Sequence, residues 1–539
     1  MSRKLLLLLL IPGLLLLGAY LYLRVSLSKA NKEDEKITGT TTSVDSLGGK
    51  KVSAADLRPL LIERMQQLLR KSSQGLYNLS VGDMKLDVLA STVSLQNVTL
   101  STDSSKLNEQ KAAGTLPSNV FKVRFKELVV EGINLDDALT SKTMDYKLLR
   151  LVNPVIEVFP NKQGQKKNET AEDFSQRFLK EMTKLEIGRL EIVGGTIIAH
   201  GAKNKTNRLN EVDIELNKIL LDSITRTDKG RFLFAENATI NFRNYTTQTS
   251  DGLYQFKIGK GTITSPQQQV RLQNISLASP LSREQFVKRQ KLAKELYQLS
   301  LSSLTLNKVD WWTLFNGEEV VAEDLQASGG KLSIYFDRSL PLRSRLGNFP
   351  NQLLAKTELK MNVDRFAFQN LDFSYTEYNP VSKQSGSIYF DNIKLQGTNL
   401  STTNTKPLRI EGSGLFMKQV PVSTLFTFDM KKPQAGGFTV SVSSEKPFAT
   451  TLINSFSMPL GLMKMEKGTL NKLTATINGD QAKAQGNVTV LYSDLKLSLL
   501  EKEKDQKALD KKDVTSLLAN LFVIKNDNPR KGALSLFGD

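Results

Sequence analysis

At 539 residues the chain is long enough for several ordinary domains or for one architecture that grows by repetition. It contains no cysteine, which excludes disulfides, thiol catalysis, zinc-thiolate sites and a lipidated N-terminal cysteine together. Its 73 Lys and Arg outnumber its 55 Asp and Glu, and the formal net charge of +18 fits either anionic partners, such as lipid headgroups or nucleic acid, or a solvated basic exterior.

After Arg3 and Lys4, residues 5–23 carry no charge, from Leu5 through Leu10, Leu15 and Tyr20 to Leu23. As a helix this run would span roughly 28 Å, close to a bilayer core. It is longer than the apolar part of a signal peptide and no small-x-small cleavage pattern follows, so it reads as an uncleaved membrane anchor. Arg24, Lys29, Lys32 and Lys36 rival Arg3 and Lys4 under the positive-inside rule, so charge alone leaves the orientation open. Export of the large body past a short cytoplasmic tail is the simpler topology. Residues 24–52 are polar and rich in Ser, Thr and Gly, a flexible linker.

From residue 53 an amphipathic helix is expected, with Leu57, Leu61, Met65, Leu68 and Leu69 on one face. It could lie on a membrane surface, but hiding the first strand edge is the commoner use of such a helix. Beyond it a five-residue beat recurs, in which two apolar residues two apart are followed by a three-residue step. Val93, Leu95, Val98 and Leu100 begin it; Val123, Phe125, Leu128 and Val130 follow, then Leu185, Ile187, Leu190 and Ile192. It returns at Ile214 and Leu216, at Val270 and Leu272, at Leu299, Leu301, Leu304 and Leu306, at Met361 to Phe373, and at Ile388 and Phe390.

Spacing of two is that of a half-buried strand, but a step of three reverses parity. Either a bulge re-aims each pair or both faces are covered. Breaks are therefore expected near Ser302-Ser303 and near Asn307-Lys308. Gly194-Gly195 and Gly329-Gly330 sit in similar contexts and read as strand reversals. Two further helices, over 171–184 and 282–297, each lead into a strand. The expected divisions are 53–167 (helix and first β module), 168–281 (second module), 282–500 (third and C-terminal modules) and 501–539, a charged linker with a short apolar helix over 514–524.

The expected fold is mainly β: a long, twisted, largely antiparallel sheet with few helices. Twist accumulates with each strand, so a sheet of roughly 20 strands at about 4.8 Å spacing would extend on the order of 90 Å and could curl into an open trough. Leu, Ile, Val and Phe dominate the inward positions, which suits an apolar groove. Candidate lining residues are Phe125, Val130, Ile187, Ile192, Leu216, Leu272, Leu301, Leu306, Val363, Phe368, Phe373 and Phe390.

The arrangement of anchor, short helix and L-x-I-x-x-L-x-I-x-x-G-x-I strands resembles the AsmA/TamB-like group of envelope proteins, of the repeating β-groove, bridge-like lipid-transfer class. Local carriers of the resemblance are Phe125 to Val158 with its Asn153-Pro154 strand entry, Leu332 to Asp337, Phe373 to Glu377 with Gly386 to Phe390, and Tyr492 to Leu497. It implies a single-pass inner-membrane protein with its body in the periplasm, engaged with phospholipids or other envelope lipids in transport or outer-membrane homeostasis. It also implies a longer bridge, and a further strand and amphipathic tail that the residues before Phe537-Gly538-Asp539 do not supply.

Chemistry-bearing motifs are scarce. His200 is the single histidine, which excludes imidazole triads and multi-histidine metal sites; it reads as a surface residue at a strand end. Trp311 continues the beat and reads as core, leaving Trp312 as the better lipid or partner contact. Residues 338–345 include arginines that could grip headgroups, although a solvated loop is the commoner reading. Asn97-Val98-Thr99, Asn237-Ala238-Thr239 and Asn487-Val488-Thr489 match the glycan acceptor pattern, which Asn- and Thr-rich strands produce by chance. No phosphate loop, dinucleotide fingerprint, serine elbow or metal-spaced carboxylate cluster occurs. The expectation is a non-enzymatic protein without metal or cofactor and with no nucleic-acid partner. The alternative is an envelope scaffold or protein-interaction module with a conventionally packed β core.

Overall fold

The computed structural model describes residues 73–87, 89–117, 119–132, 143–161, 183–201, 206–249, 251–317, 319–342, 348–357, 359–444, 446–501, 510–511 and 527–529, with short pieces between 58 and 70 and at 175, 176 and 179. The anchor 5–23, the linker 24–52 and the helix expected over 514–524 lie outside the described residues. The fold is mainly β, with a long mixed sheet of 21 strands. Packing divides the chain into two units: Met1–Thr247 with Ile258–Arg271 and Val309–Glu318, and Gln248–Lys257 with Leu272–Lys308 and Glu319–Asp539.

The first unit holds β1 (Tyr77–Ser80), β2 (Asp83–Asp87), β3 (Thr92–Thr102), α1 (Ser104–Ala112), β4 (Asn119–Glu131), β5 (Thr143–Val152), β6 (Val155–Pro160), β7 (Lys184–His200), β8 (Thr206–Leu221) and β9 (Ala235–Gln248). Both β1 and β2 pair antiparallel with β3, which pairs with β4. The expected first helix is helical at each of its described positions, and it reaches these strands through side chains. Gln66 Nε2 donates to Leu79 O at 3.1 Å and Arg58 Nη1 to Met84 O at 3.3 Å, occupying carbonyls of two short strands. The unpredicted α1 starts at Asp103, whose carboxylate accepts the Ser105 and Lys106 amides.

The sheet is mixed: most pairs are antiparallel, but β5 and β6 run parallel to β7. A parallel neighbour needs a crossover of a dozen or more residues, and the segment 161–183 provides one. Elsewhere Phe232 meets Trp311 and Phe315 edge-on at 5.1 and 5.0 Å, so Trp311 is core, while Trp312 is half-buried and has contacts of its own.

β10 (Gln255–Thr264) and β11 (Gln269–Ala278) fall partly in each division. The second unit continues with α2 (Arg283–Lys288), β12 (Leu296–Asn307), β13 (Glu319–Asp337), α3 (Pro350–Ala355), β14 (Lys360–Asn379), β15 (Gln384–Ser401), β16 (Leu408–Phe416), β17 (Val420–Phe428), β18 (Phe438–Ser444), β19 (Phe448–Ala449), α4 (Asn454–Gly461), β20 (Met463–Gly479), β21 (Ala484–Glu501) and β22 (Asp510–Lys511). β12 to β21 form an antiparallel series broken once, where β13 and β14 are parallel. The helix expected over 282–297 is confined to α2. Its Ser282/Gln285 capping box and buried Phe286 fix the start, but tertiary bonds extend the rest: Ala293 N–H donates to Pro341 O, and Tyr297 N–H to the Tyr254 hydroxyl.

The Gly-Gly pairs are not reversals. β13 runs straight through Gly329-Gly330 and β7 through Gly194-Gly195. The first glycine of each pair has positive φ, 64° and 66°, and a Cβ there would lie 2.9 Å from Ser302 Oγ or 2.4 Å from Asn153 Oδ1. A left-handed residue inside a strand re-aims the chain without turning it back; the β7–β8 register shifts at Gly195, whereas the β12–β13 and β13–β14 registers run unshifted through Gly329.

The same device recurs in the three-residue steps, at Asn97 (φ 50°), Lys218 (φ 53°), Asn274 (φ 53°), Lys308 (φ 56°), Asn370 (φ 54°) and Asn392 (φ 51°). Lys308 supplies the break expected near Asn307-Lys308. Near Ser302-Ser303 the expected break is not found in β12: the β12–β13 register is the same on both sides, and the left-handed residue stands on the facing strand, at Gly329.

Candidate functional site

Because neighbouring strands take the three-residue step at the same level, their apolar pairs stay opposite one another. Val98 faces Phe125 and Leu95 faces Leu128; Ile187 faces Ile219 and Leu190 faces Leu216. Opposite residues of paired strands share a face. In the second unit this produces unbroken rows. One runs Leu306, Leu325, Phe366, Gly397, Ile410, Phe426, Val440, Ile477, Gly486 across nine strands. The next runs Leu304, Ala327, Phe368, Leu395, Gly412, Thr424, Val442, Ala475, Val488. A third joins Leu299, Leu332, Phe373, Phe390, Phe416 and Val420. Nine strands at about 4.8 Å give this face a width of roughly 38 Å.

Aromatic rings tie the rows together. Phe366 and Phe368 lie 5.3 Å apart, Phe373 and Phe390 6.3 Å, Phe390 and Phe416 5.4 Å. The glycines in the rows make room for neighbours: a Cβ on Gly397 would fall 2.2 Å from the Phe366 ring.

Two short helices meet the face toward opposite strand ends. Phe349, the residue before α3, packs on Phe438 at 5.2 Å. The α3 residue Asn351 donates to Asp429 O and Gly437 O, and Gln352 to Gln434 O at 2.7 Å. At the other end α4 covers Gly386 with Pro459 and Leu460, and its Phe456 packs on Phe416. Asn379 Nδ2 and Ser382 Oγ donate to Pro459 O at 2.9 and 2.8 Å, a buried polar anchor. A cavity of about 400 Å³ opens beside this end, lined by Val420, Pro421, Phe448 and Leu452 with Lys446 as its one charged residue.

The predicted lining residues separate by burial. Phe125, Val130, Ile187 and Ile192 are buried in the first unit, Ile187 completely, and Leu216 there is half-buried. In the second unit Leu272 and Val363 are buried, whereas Leu301, Leu306, Phe368, Phe373 and Phe390 are half-buried, all but Leu301 within the rows. Leu272, Leu301 and Val363 are the second-unit candidates that the three rows do not include. Sequence reading missed Ile410, Phe426, Val440 and Ile477. Around these residues the strands alternate plainly, the one three-residue step being Leu470 to Leu473 in β20, and alternation was the available signal.

Polar chemistry is dispersed. His200 ends β7, half-buried and stacked on Phe159 at 4.2 Å with Nε2 3.1 Å from Glu157 Oε2. Arg338 pairs with Glu377 at 3.2 Å, and Arg343 and Arg345 lie outside the described residues. Among the described residues no three His, Asp or Glu side chains group to hold a metal ion. Burial raises the Tyr254 and Tyr335 hydroxyls above their ordinary value. In comparisons with known proteins, no family model and no curated sequence matches this chain.

Proposed function

We propose that this is a non-enzymatic, membrane-anchored envelope protein whose second unit holds lipid acyl chains on its apolar sheet face, in support of phospholipid transport or outer-membrane homeostasis. The observation that carries the reading is the contrast in exposure. Most members of the rows are partly exposed in the second unit, Leu325, Ala327, Phe366 and Val420 excepted, while most beat residues of the first unit are buried, Val93, Leu100, Leu128 and Leu216 excepted. An exposed apolar face of this extent is what acyl chains, rather than water, would cover. The N-terminal run 5–23 supplies the tether, and the body lies on the exported side.

On this reading binding is spread over many contacts and no single polar group is essential. Burying a charge among acyl chains is costly, so Phe368→Asp blocks lipid occupancy, and its half-exposed position allows the fold to persist. Native mass spectrometry of gently extracted protein checks this: phospholipid adducts on the wild type and their loss in the variant are expected. Equal lipid content in both proteins would sink the proposal. The packed first unit favours a second reading, an envelope scaffold that binds other proteins, which predicts no bound phospholipid in either protein.

A further inference from the structure

Beyond Ser444 the sheet of the second unit parts. From Phe438 to Ser444 β18 pairs with β20, and as far as Ser443 it also pairs with β17. Where the chain re-enters the sheet as β19, it pairs with β20 alone. Among the described residues, 420–422 of β17 therefore have β16 on one side and no strand on the other, and the cavity of about 400 Å³ occupies this split.

Part of the lining continues the apolar face. Val420 closes the third row, and the Phe448 ring packs against Phe416 of that row at 6.4 Å. The polar side chains of the lining are Gln419, Lys446 and Thr451, all exposed. It holds no carboxylate, and among the described residues Lys446 makes no ion pair; Glu445, next to it in sequence, lies outside them. Lys418, in the β16–β17 turn beside Gln419, adds a second cation, its Nζ 5.7 Å from the centre of the Tyr389 ring. Apolar wall, hydrogen-bonding groups and uncompensated positive charge together suit an anionic amphiphile.

We propose that the split between β17 and β19 holds the phosphate headgroup of a glycerophospholipid. Lys446 meets the phosphate as a point charge, Gln419 and Thr451 donate hydrogen bonds to its oxygens, and the acyl chains leave past Val420 and Phe448 along the third row. The volume lies near the lower end of small-molecule sites, roughly 300–1,000 Å³, so it takes a headgroup and leaves the chains to the sheet face. Contacts along the rows are non-directional and leave a lipid free to slide, whereas a charge at one strand end fixes which way it points. The inference rests on the reading that this face holds acyl chains.

The full chain in detergent, stripped of bound lipid, separates the headgroup site from the acyl-chain reading. Dioleoylphosphatidylglycerol and dioleoylglycerol share their chains and differ in the phosphate-bearing headgroup. Because Lys446 is exposed, its pull on a phosphate is modest, about fivefold in affinity. Native mass spectrometry at equal lipid concentrations should show the phospholipid favoured by that factor, and Lys446→Gln should abolish the preference while leaving dioleoylglycerol binding unchanged. Lys431→Gln, which removes the same charge from an exposed position outside the lining, should keep it. Inorganic phosphate in large excess, at matched ionic strength, should not displace the phospholipid. Both lipids bound without preference, a preference that survives Lys446→Gln, or an equal fall in Lys431→Gln overturns the headgroup site and leaves the acyl-chain reading standing. Displacement by phosphate also overturns it, assigning the split to a free anion. Binding of neither lipid overturns both.

Discussion

Lys308, Asn370 and Gly329 do one job with different side chains: each adopts positive φ where the apolar pattern steps by three. Asn tolerates this conformation better than most residues and Gly bears no penalty, whereas Ala at such a site costs roughly 1–2 kcal/mol. Gly329→Ala is therefore expected to destabilise the second unit by about that much, since the added methyl also meets Ser302 Oγ. Asn370→Gly should stay within about half a kcal/mol. Chemical denaturation of the two variants checks the contrast, and equal losses would refute it.

A second residue-scale expectation concerns Asp103. Hydrogen bonds from the Ser105 side chain and from the Lys106 and Ser105 amides hold its carboxyl down at about 2 against an ordinary 3.8. A depressed carboxyl contributes stability that is complete above the unfolded value and is lost as pH falls through the folded one. Protection of the α1 amides should thus decline between about pH 4 and pH 2. In Asp103→Asn, which keeps an acceptor and loses the charge, that decline should vanish; a persisting decline would assign it to another group.

At the scale of elements, α4 is held on the apolar face by polar groups from the β14–β15 turn. Asn379→Ala removes the donor to Pro459 O and leaves a buried carbonyl with less than its share of bonds, at a cost of about 1–3 kcal/mol. Exchange of α4 amides should rise before that of β14 if the anchor is local. Simultaneous loss would mean that helix and strand open together.

Much of this level was legible in the sequence, because the beat places strands and their facing without reference to neighbours. What it could not show was direction. Gly329-Gly330 has the composition of a turn, and only the facing Ser302 reveals that the glycine lets the strand continue. The long segment before Lys184 was the available sign of a parallel neighbour, since a hairpin needs only a few residues. The length of α2 was hidden because the hydrogen bonds that extend residues 293–297 come from Pro341 and Tyr254, far away in sequence.

For the whole molecule, composition announced an apolar interior but not its division into filled and open parts. Ile187 and Phe368 occupy the same beat, yet one is sealed and the other half-exposed. Burial depends on what lies above a face, and a strand's own residues do not encode that. A photoactivatable acyl chain added to the intact protein should accordingly label Phe368 and Phe390 and spare Ile187 and Ile192. Peptide mapping decides, and labelling confined to the first unit would reverse the assignment.

The left-handed residues found at many of the three-residue steps also set how such a chain can change length. In a plain ladder, inserting two residues leaves the facing intact, whereas here it would slide each left-handed position out of line with its neighbour. Five residues, one pair and one step, restore both facing and alignment. Strands that lengthened together would have done so in increments of five, as a thread advances by whole turns.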